Sequence, residues 1–97
     1  MWELLAAERT VETEIGRPCQ LRYYILTEEA ELAGSLLCET YGVRIVTARD
    51  GKVQAESLRH ITFYLSEISR LIQVLADCQV TPVALQDVVE DWIAAGA

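Results

Sequence analysis

The chain has 97 residues, of which 52% are hydrophobic and 24% charged, with a net charge of −7. A chain of this size forms one domain that buries only about 60 to 65% of its unfolded surface, and its balance of apolar to charged residues excludes disorder. The acidic sum opposes nucleic-acid binding, which needs a surplus of Lys and Arg to displace counterions from phosphate.

The charge is unevenly spread. Residues 1–16 carry four acids and one base, residues 17–60 six of each, and residues 61–97 five acids and one base. No apolar run approaches the length of a membrane span, and Met1-Trp2-Glu3 starts no basic leader, so neither a membrane segment nor a signal peptide is expected. Cys19, Cys38 and Cys78 are an odd number, widely spaced, without CxxC or CxxH neighbours. They predict free thiols in a reducing cytoplasm, and neither a zinc site nor any other cofactor.

In chain order, residues 1–8 form a short helix or a flexible arm, with Trp2, Leu5 and Ala6 on one side and Glu3 and Glu8 away from it. Residues 9–15 alternate Val11, Thr13 and Ile15 against Glu12 and Glu14 as an edge strand that "GRP" breaks. "CQLRYYILTE" is a second strand, with Leu21, Tyr23 and Ile25 on one face and Arg22, Tyr24 and Leu26 on the other. "EEAELAGS" is a polar loop. "LLCETYGVRIVTA" resumes the alternation, and Gly42 marks a bulge or a close backbone approach. Asp50-Gly51 supplies a two-residue hairpin turn into the returning strand "KVQAESLRHI". The meander spans residues 9–61.

The apolar period then lengthens to 3.6. Leu65, Ile68, Leu71, Ile72, Leu75 and Val80 form one stripe of a helix over 63–79, capped by Thr62 or Ser66. In "TPVALQDVVEDWI", Thr81 caps a second helix and Pro82 occupies its first position, with Leu85, Val88, Val89, Trp92 and Ile93 inward. Residues 62–94 are thus a helical hairpin. Packed on one sheet face it makes an α+β two-layer sandwich, burying eight to ten large side chains at about 1.5 to 3 kcal/mol each before entropy is subtracted.

"YGVRIV" followed by "TPVALQDVVEDWI" resembles a family of small uncharacterised proteins of Firmicutes, mainly Clostridia, catalogued as a domain of unknown function. The likeness runs from about Tyr23 to Ile93 and is most specific in "LQDVVEDW". It implies a bacterial cytoplasmic setting and no established activity, and it brings no catalytic residues.

The chain's one histidine, His60, has no partner identifiable by spacing, and GxSxG, HExxH and a Gly-rich phosphate loop are all missing. Catalysis is not expected. The helices should cover the face bearing Tyr23, Ile25, Val43 and Ile45, leaving Arg22, Tyr24, Leu26, Arg44, Val46, Leu58 and His60 on a second, rather apolar face. Three things could cover it: the N-terminal segment folded back through Trp2, Leu4 and Leu5, a second copy in a homodimer, or a small anion held by Arg22 and Arg44. Cross-strand pairing of these arginines with Glu39 or Glu56 is the plainer alternative.

Asp87, Glu90 and Asp91 share the outer side of the second helix, where they repel one another and oppose the helix dipole at about 0.2 to 1 kcal/mol each. Three uses rank in order: a solvated face, a docking surface for a basic protein partner, and, last, a divalent-cation site. The expected function is a non-enzymatic interaction or regulatory module, with an anion-binding domain as the alternative.

Overall fold

The computed structural model describes residues 2–12 and 16–96, apart from the Ser35 side chain. Four strands, β1 (Trp2–Glu12), β2 (Pro18–Leu32), β3 (Leu36–Arg49) and β4 (Lys52–Thr62), form one antiparallel sheet in the order β1-β2-β3-β4. Two helices follow, α1 (Leu65–Asp77) and α2 (Leu85–Ala94), the second preceded by a 3-10 turn at Pro82–Ala84. The α+β meander with two C-terminal helices is the architecture that the change of apolar period predicts.

Strand alternation builds the core. Leu21, Tyr23 and Ile25 of β2 and Val43 and Ile45 of β3 point to one face, against Ile68, Leu71, Ile72 and Leu75 of α1 and Leu85 and Val89 of α2. The Tyr23 hydroxyl donates to the Val80 carbonyl at 2.9 Å, tying the link between the helices to the middle of the sheet. Burial pushes the Tyr23 phenol up to about 12, because the phenolate would lose its hydration there.

Two turns set the register. Asp50 and Gly51 both adopt positive φ, 53° and 75°, so Arg49 pairs with Lys52 across a two-residue loop. At the other end of β4 the ladder slips. Tyr41 pairs with Thr62 and Val43 with Leu58, so Gly42 stands opposite three residues, Arg59, His60 and Ile61. A Cβ at Gly42 would lie 2.3 Å from the Leu58 carbonyl oxygen. The glycine is required by this approach, and His60 takes the strain at φ 56°.

Four expectations are corrected. Residues 2–12 are neither helix nor arm: the segment pairs along β2, with a bulge between Leu5 and Ala7, and extends the sheet instead of lying over its second face. Hydrogen-bonding its backbone to β2 satisfies more groups than an eight-residue helix would. Residues 13–15 of the expected first strand lie outside the described residues. The segment read as a polar loop over 28–35 is strand as far as Leu32, with only Ala33–Ser35 turning. Thr81 makes no side-chain cap; its carbonyl accepts from the Ala84 N–H at 3.1 Å. At α1 the carbonyl of Tyr64 receives the first amides, while the Thr62 hydroxyl accepts from the Tyr64 N–H at 3.2 Å and donates to Glu67 at 2.6 Å.

No helix among the described residues is long and apolar enough to cross a membrane. Cys19, Cys38 and Cys78 are free thiols.

Candidate interaction surfaces

The sheet face away from the helices is crossed by three arginine–carboxylate pairs. Arg22 lies opposite Glu8 of β1 and binds it at 3.3 Å, Arg44 pairs with Glu3 and donates to Ser57 Oγ at 2.8 Å, and Arg59 grips both oxygens of Glu28. Hydrogen bonds to Tyr24 and then to Glu8 hold the Arg22 guanidinium above its usual range. The Arg59 hydrogen bond holds the Glu28 carboxyl below the usual carboxylate value. At the centre, Leu26 is 1% exposed and faces the bare Gly42.

The predicted site residues separate here. Arg22, Tyr24 and Arg44 lie on this face as expected, but both arginines are already neutralised by carboxylates of β1. Glu39 and Glu56 are not their partners: Glu39 lies opposite Glu29 and Glu56 opposite the core residue Ile45, on the other side of the sheet. Leu58 is also misplaced. The two-residue turn pairs it with Val43, so it packs against the core. His60 does reach the open face, because the Arg59–Ile61 bulge shifts its phase.

The structure gives His60 partners that spacing could not reveal. Its Nδ1 lies 2.6 Å from Thr40 Oγ1 and its Nε2 3.7 Å from Glu28 Oε2. Thr40 is 3% exposed and also contacts the Glu28 carbonyl at 3.4 Å, while the Glu28 carboxylate is engaged by Arg59. The group locks the bulge against β2.

The second surface is a ribbon. In the described residues, β1 pairs with β2 only up to Thr27 and β4 with β3 only down to Tyr41, so residues 28–32 and 36–40 run on as a two-stranded hairpin with both edges free. Alternation makes it two-faced: Ala30, Leu32, Leu36 and Cys38 share one side, and Glu29, Glu31, Leu37 and Glu39 the other. Glu29 stands directly opposite Glu39, an unfavourable like-charge pair. Glu39 accepts a hydrogen bond from the Tyr41 hydroxyl at 3.1 Å, which raises the Tyr41 phenol's pKa. A cleft of about 370 Å³ borders this side, lined by Trp2, Thr27, Glu28, Glu29 and Glu39.

Asp87, Glu90 and Asp91 are exposed on α2, where Gln86 bridges to Glu90 at 3.1 Å. Because the helix proper begins at Leu85, Asp87 sits in its first turn, where the dipole favours a carboxylate. The expected conflict with the dipole is therefore confined to Glu90 and Asp91. Among the described residues no group of three or more His, Cys, Asp or Glu side chains is placed to hold a metal ion.

A second cleft of about 370 Å³ lies between the β3–β4 turn and the 3-10 turn. Arg49, Lys52, Thr47, Gln54 and Thr81 are among its lining residues. Arg49 and Lys52 face each other across the hairpin, and no ion pair is made to either among the described residues.

No curated protein and no solved structure matches the chain. The model of a family of unknown function, DUF6514, matches residues 2–95, and the chain belongs to that family.

Proposed function

We propose that the protein is a non-enzymatic interaction module that presents an acidic surface to a basic protein partner. The observation that carries this reading is the segregation of charge. The three pairs across the open face cancel, so the net charge of −7 resides on the rest of the molecule, including Glu29, Glu31 and Glu39 of the ribbon and Asp87, Glu90 and Asp91 of α2. From Thr27 to Thr40 there is no basic residue at all. Such a field steers a cationic partner and repels nucleic acid. The non-enzymatic reading rests on His60, whose neighbours are buried or already ion-paired. Free thiols favour a reducing, cytoplasmic setting.

Titration of a fluorescent lysine-rich peptide tests the reading. Wild type is expected to bind with strong salt dependence, and both Glu29→Gln/Glu31→Gln/Glu39→Gln and Asp87→Asn/Glu90→Gln/Asp91→Asn to weaken binding. Undiminished binding by both triple variants would contradict it.

A second reading, small-anion binding, is favoured by one observation: Arg49 and Lys52 are a like-charged couple, without an ion pair among the described residues, on a cleft that also holds the Thr47 and Thr81 hydroxyls and an Asp50 carboxylate engaged by Arg17. It moves the anion from Arg22 and Arg44 to the β3–β4 turn. Inorganic phosphate at constant ionic strength should then raise the melting temperature, and Arg49→Gln/Lys52→Gln should remove the shift; no shift in wild type sinks the idea.

A further inference from the structure

We infer that the open sheet face is an isologous interface between two copies of this chain, packed back to back with their acidic sides outward. This goes beyond the reading above and rests on different residues.

The first observation is the order of side chains along that face. At the ribbon end lie Leu32, Leu36 and Cys38; at the opposite end lie Val46, Val53 and Ala55. Along β3 and β4 the Arg44–Glu3 and Arg59–Glu28 pairs form a belt between them, while Arg22–Glu8 shares the cross-strand row of Val46 and Ala55. Apolar, ionic, apolar reads the same in both directions, which a two-fold contact requires, since each patch must meet its counterpart on an identical molecule. Leu36 and Ala48 lie six residues to either side of Gly42 on β3, and Val53 is the cross-strand partner of Ala48. A two-fold axis across the strands near Gly42 therefore sets Leu36 of one copy over Ala48 of the other, with Val53 on the neighbouring strand. Gly42 has no side chain; the Leu58–Arg59 backbone of the bulge fills the place of its Cβ, and Leu26 is buried beside it.

The second observation is charge. The three pairs are balanced, three arginines against three glutamates, so two such faces meet without net repulsion. The acids of the ribbon and of α2 point the other way. Packing the opposite side of two ribbons together would instead set Glu29, Glu31 and Glu39 against themselves. A cationic partner finds no unmatched carboxylate among the three pairs, which leaves the second copy as the occupant that the face fits.

The third is area. Four strands at ordinary spacing make a face about 19 Å wide, and the molecule is 54 Å long. With four strands over the body and only two over the ribbon, the face offers about 800 Å² at most, near one partner's share of a standard interface. The free-standing ribbon gains most, because a two-stranded hairpin alone is marginal in water.

Sedimentation velocity across a concentration series tests the contact. Wild type is expected to approach twice the 10.9 kDa monomer mass at high micromolar concentration. Leu36 and Val53 are 61% and 67% exposed, so Leu36→Glu or Val53→Lys should leave the fold intact by circular dichroism. Each should weaken self-association by about tenfold or more. The double variant Leu36→Glu/Val53→Lys brings opposite charges on neighbouring facing strands within reach twice per dimer and should recover association. Alkylation of Cys38, read by mass spectrometry in the unmodified protein, should slow as concentration rises while that of Cys78 stays constant. A wild type that stays monomeric throughout, or a dimer indifferent to both single variants, overturns the interface while leaving the acidic-surface reading standing.

Discussion

The helix-backed body of the sheet and the ribbon beyond it are made by the same strands with the same alternation, yet they differ in what that alternation is for. In the body, Leu21, Tyr23, Ile25, Val43 and Ile45 meet a helix layer, and the opposite side chains pair as salt bridges. In the ribbon, Leu32 and Leu36 stand opposite each other, lie outside the buried core and remain substantially exposed. Apolar residues placed where they contribute little to the fold point to contact with another molecule. The comparison also separates the two classes of carboxylate: Glu3, Glu8 and Glu28 neutralise arginines, whereas Glu29, Glu31 and Glu39 make no ion pair among the described residues.

The largest expected effect lies in the body. Leu71→Ala, in the centre of α1 and fully buried, should cost about 2 to 5 kcal/mol in urea denaturation, from lost transfer energy and the cavity left behind. Gly42→Ala should cost about 1 to 3 kcal/mol, because its Cβ meets the Leu58 carbonyl and backbone must move. Leu36→Ala, the ribbon counterpart, should change monomer stability by less than about 0.5 kcal/mol. Equal losses at Leu36 and Leu71 would break the distinction between the regions.

Two pH effects sharpen it further. Tyr23 has a folded pKa of about 12 against an ordinary 10.0, so its contribution is fully present below pH 10 and is lost as pH rises through 12. Stability should fall across that window, and less steeply in Tyr23→Phe, as followed by alkaline denaturation. Glu28 is shifted the other way by Arg59. Its contribution is present above the ordinary value of 4.5 and disappears as pH falls through the lower folded value. Arg59→Gln should therefore destabilise the protein near neutrality, with the difference from wild type vanishing in strong acid.

Much of the body is legible in the sequence. The inward set of β2 and β3, the Asp50-Gly51 turn and both helix stripes follow from period and turn chemistry alone. Leu58 was equally readable, since a two-residue turn pairing Arg49 with Lys52 forces it opposite Val43; simple alternation along β4 obscures this. The ribbon is harder, because Glu28, Glu29 and Glu31 resemble a solvated loop, although Ala30 and Leu32 keep a period of two. The partners of Arg22 and Arg44 depend on the register of β1, including its bulge at Ala6, which no local pattern specifies. The Thr40–His60–Glu28 group joins three strand positions through a strained bulge, and only the folded sheet brings them together.

On the proposed interface, the ribbon serves contact between copies while the body stabilises the fold. Hydrogen exchange of the intact protein, followed by mass spectrometry from dilute to high micromolar concentration, tests it most directly. Amides of the Leu21–Leu26 and Leu71–Leu75 segments should stay protected at every concentration, whereas those of 28–32 and 36–40 should exchange fast when dilute and slow markedly as copies associate. Ribbon amides as protected as the core in the dilute monomer, and unchanged by concentration, would contradict it.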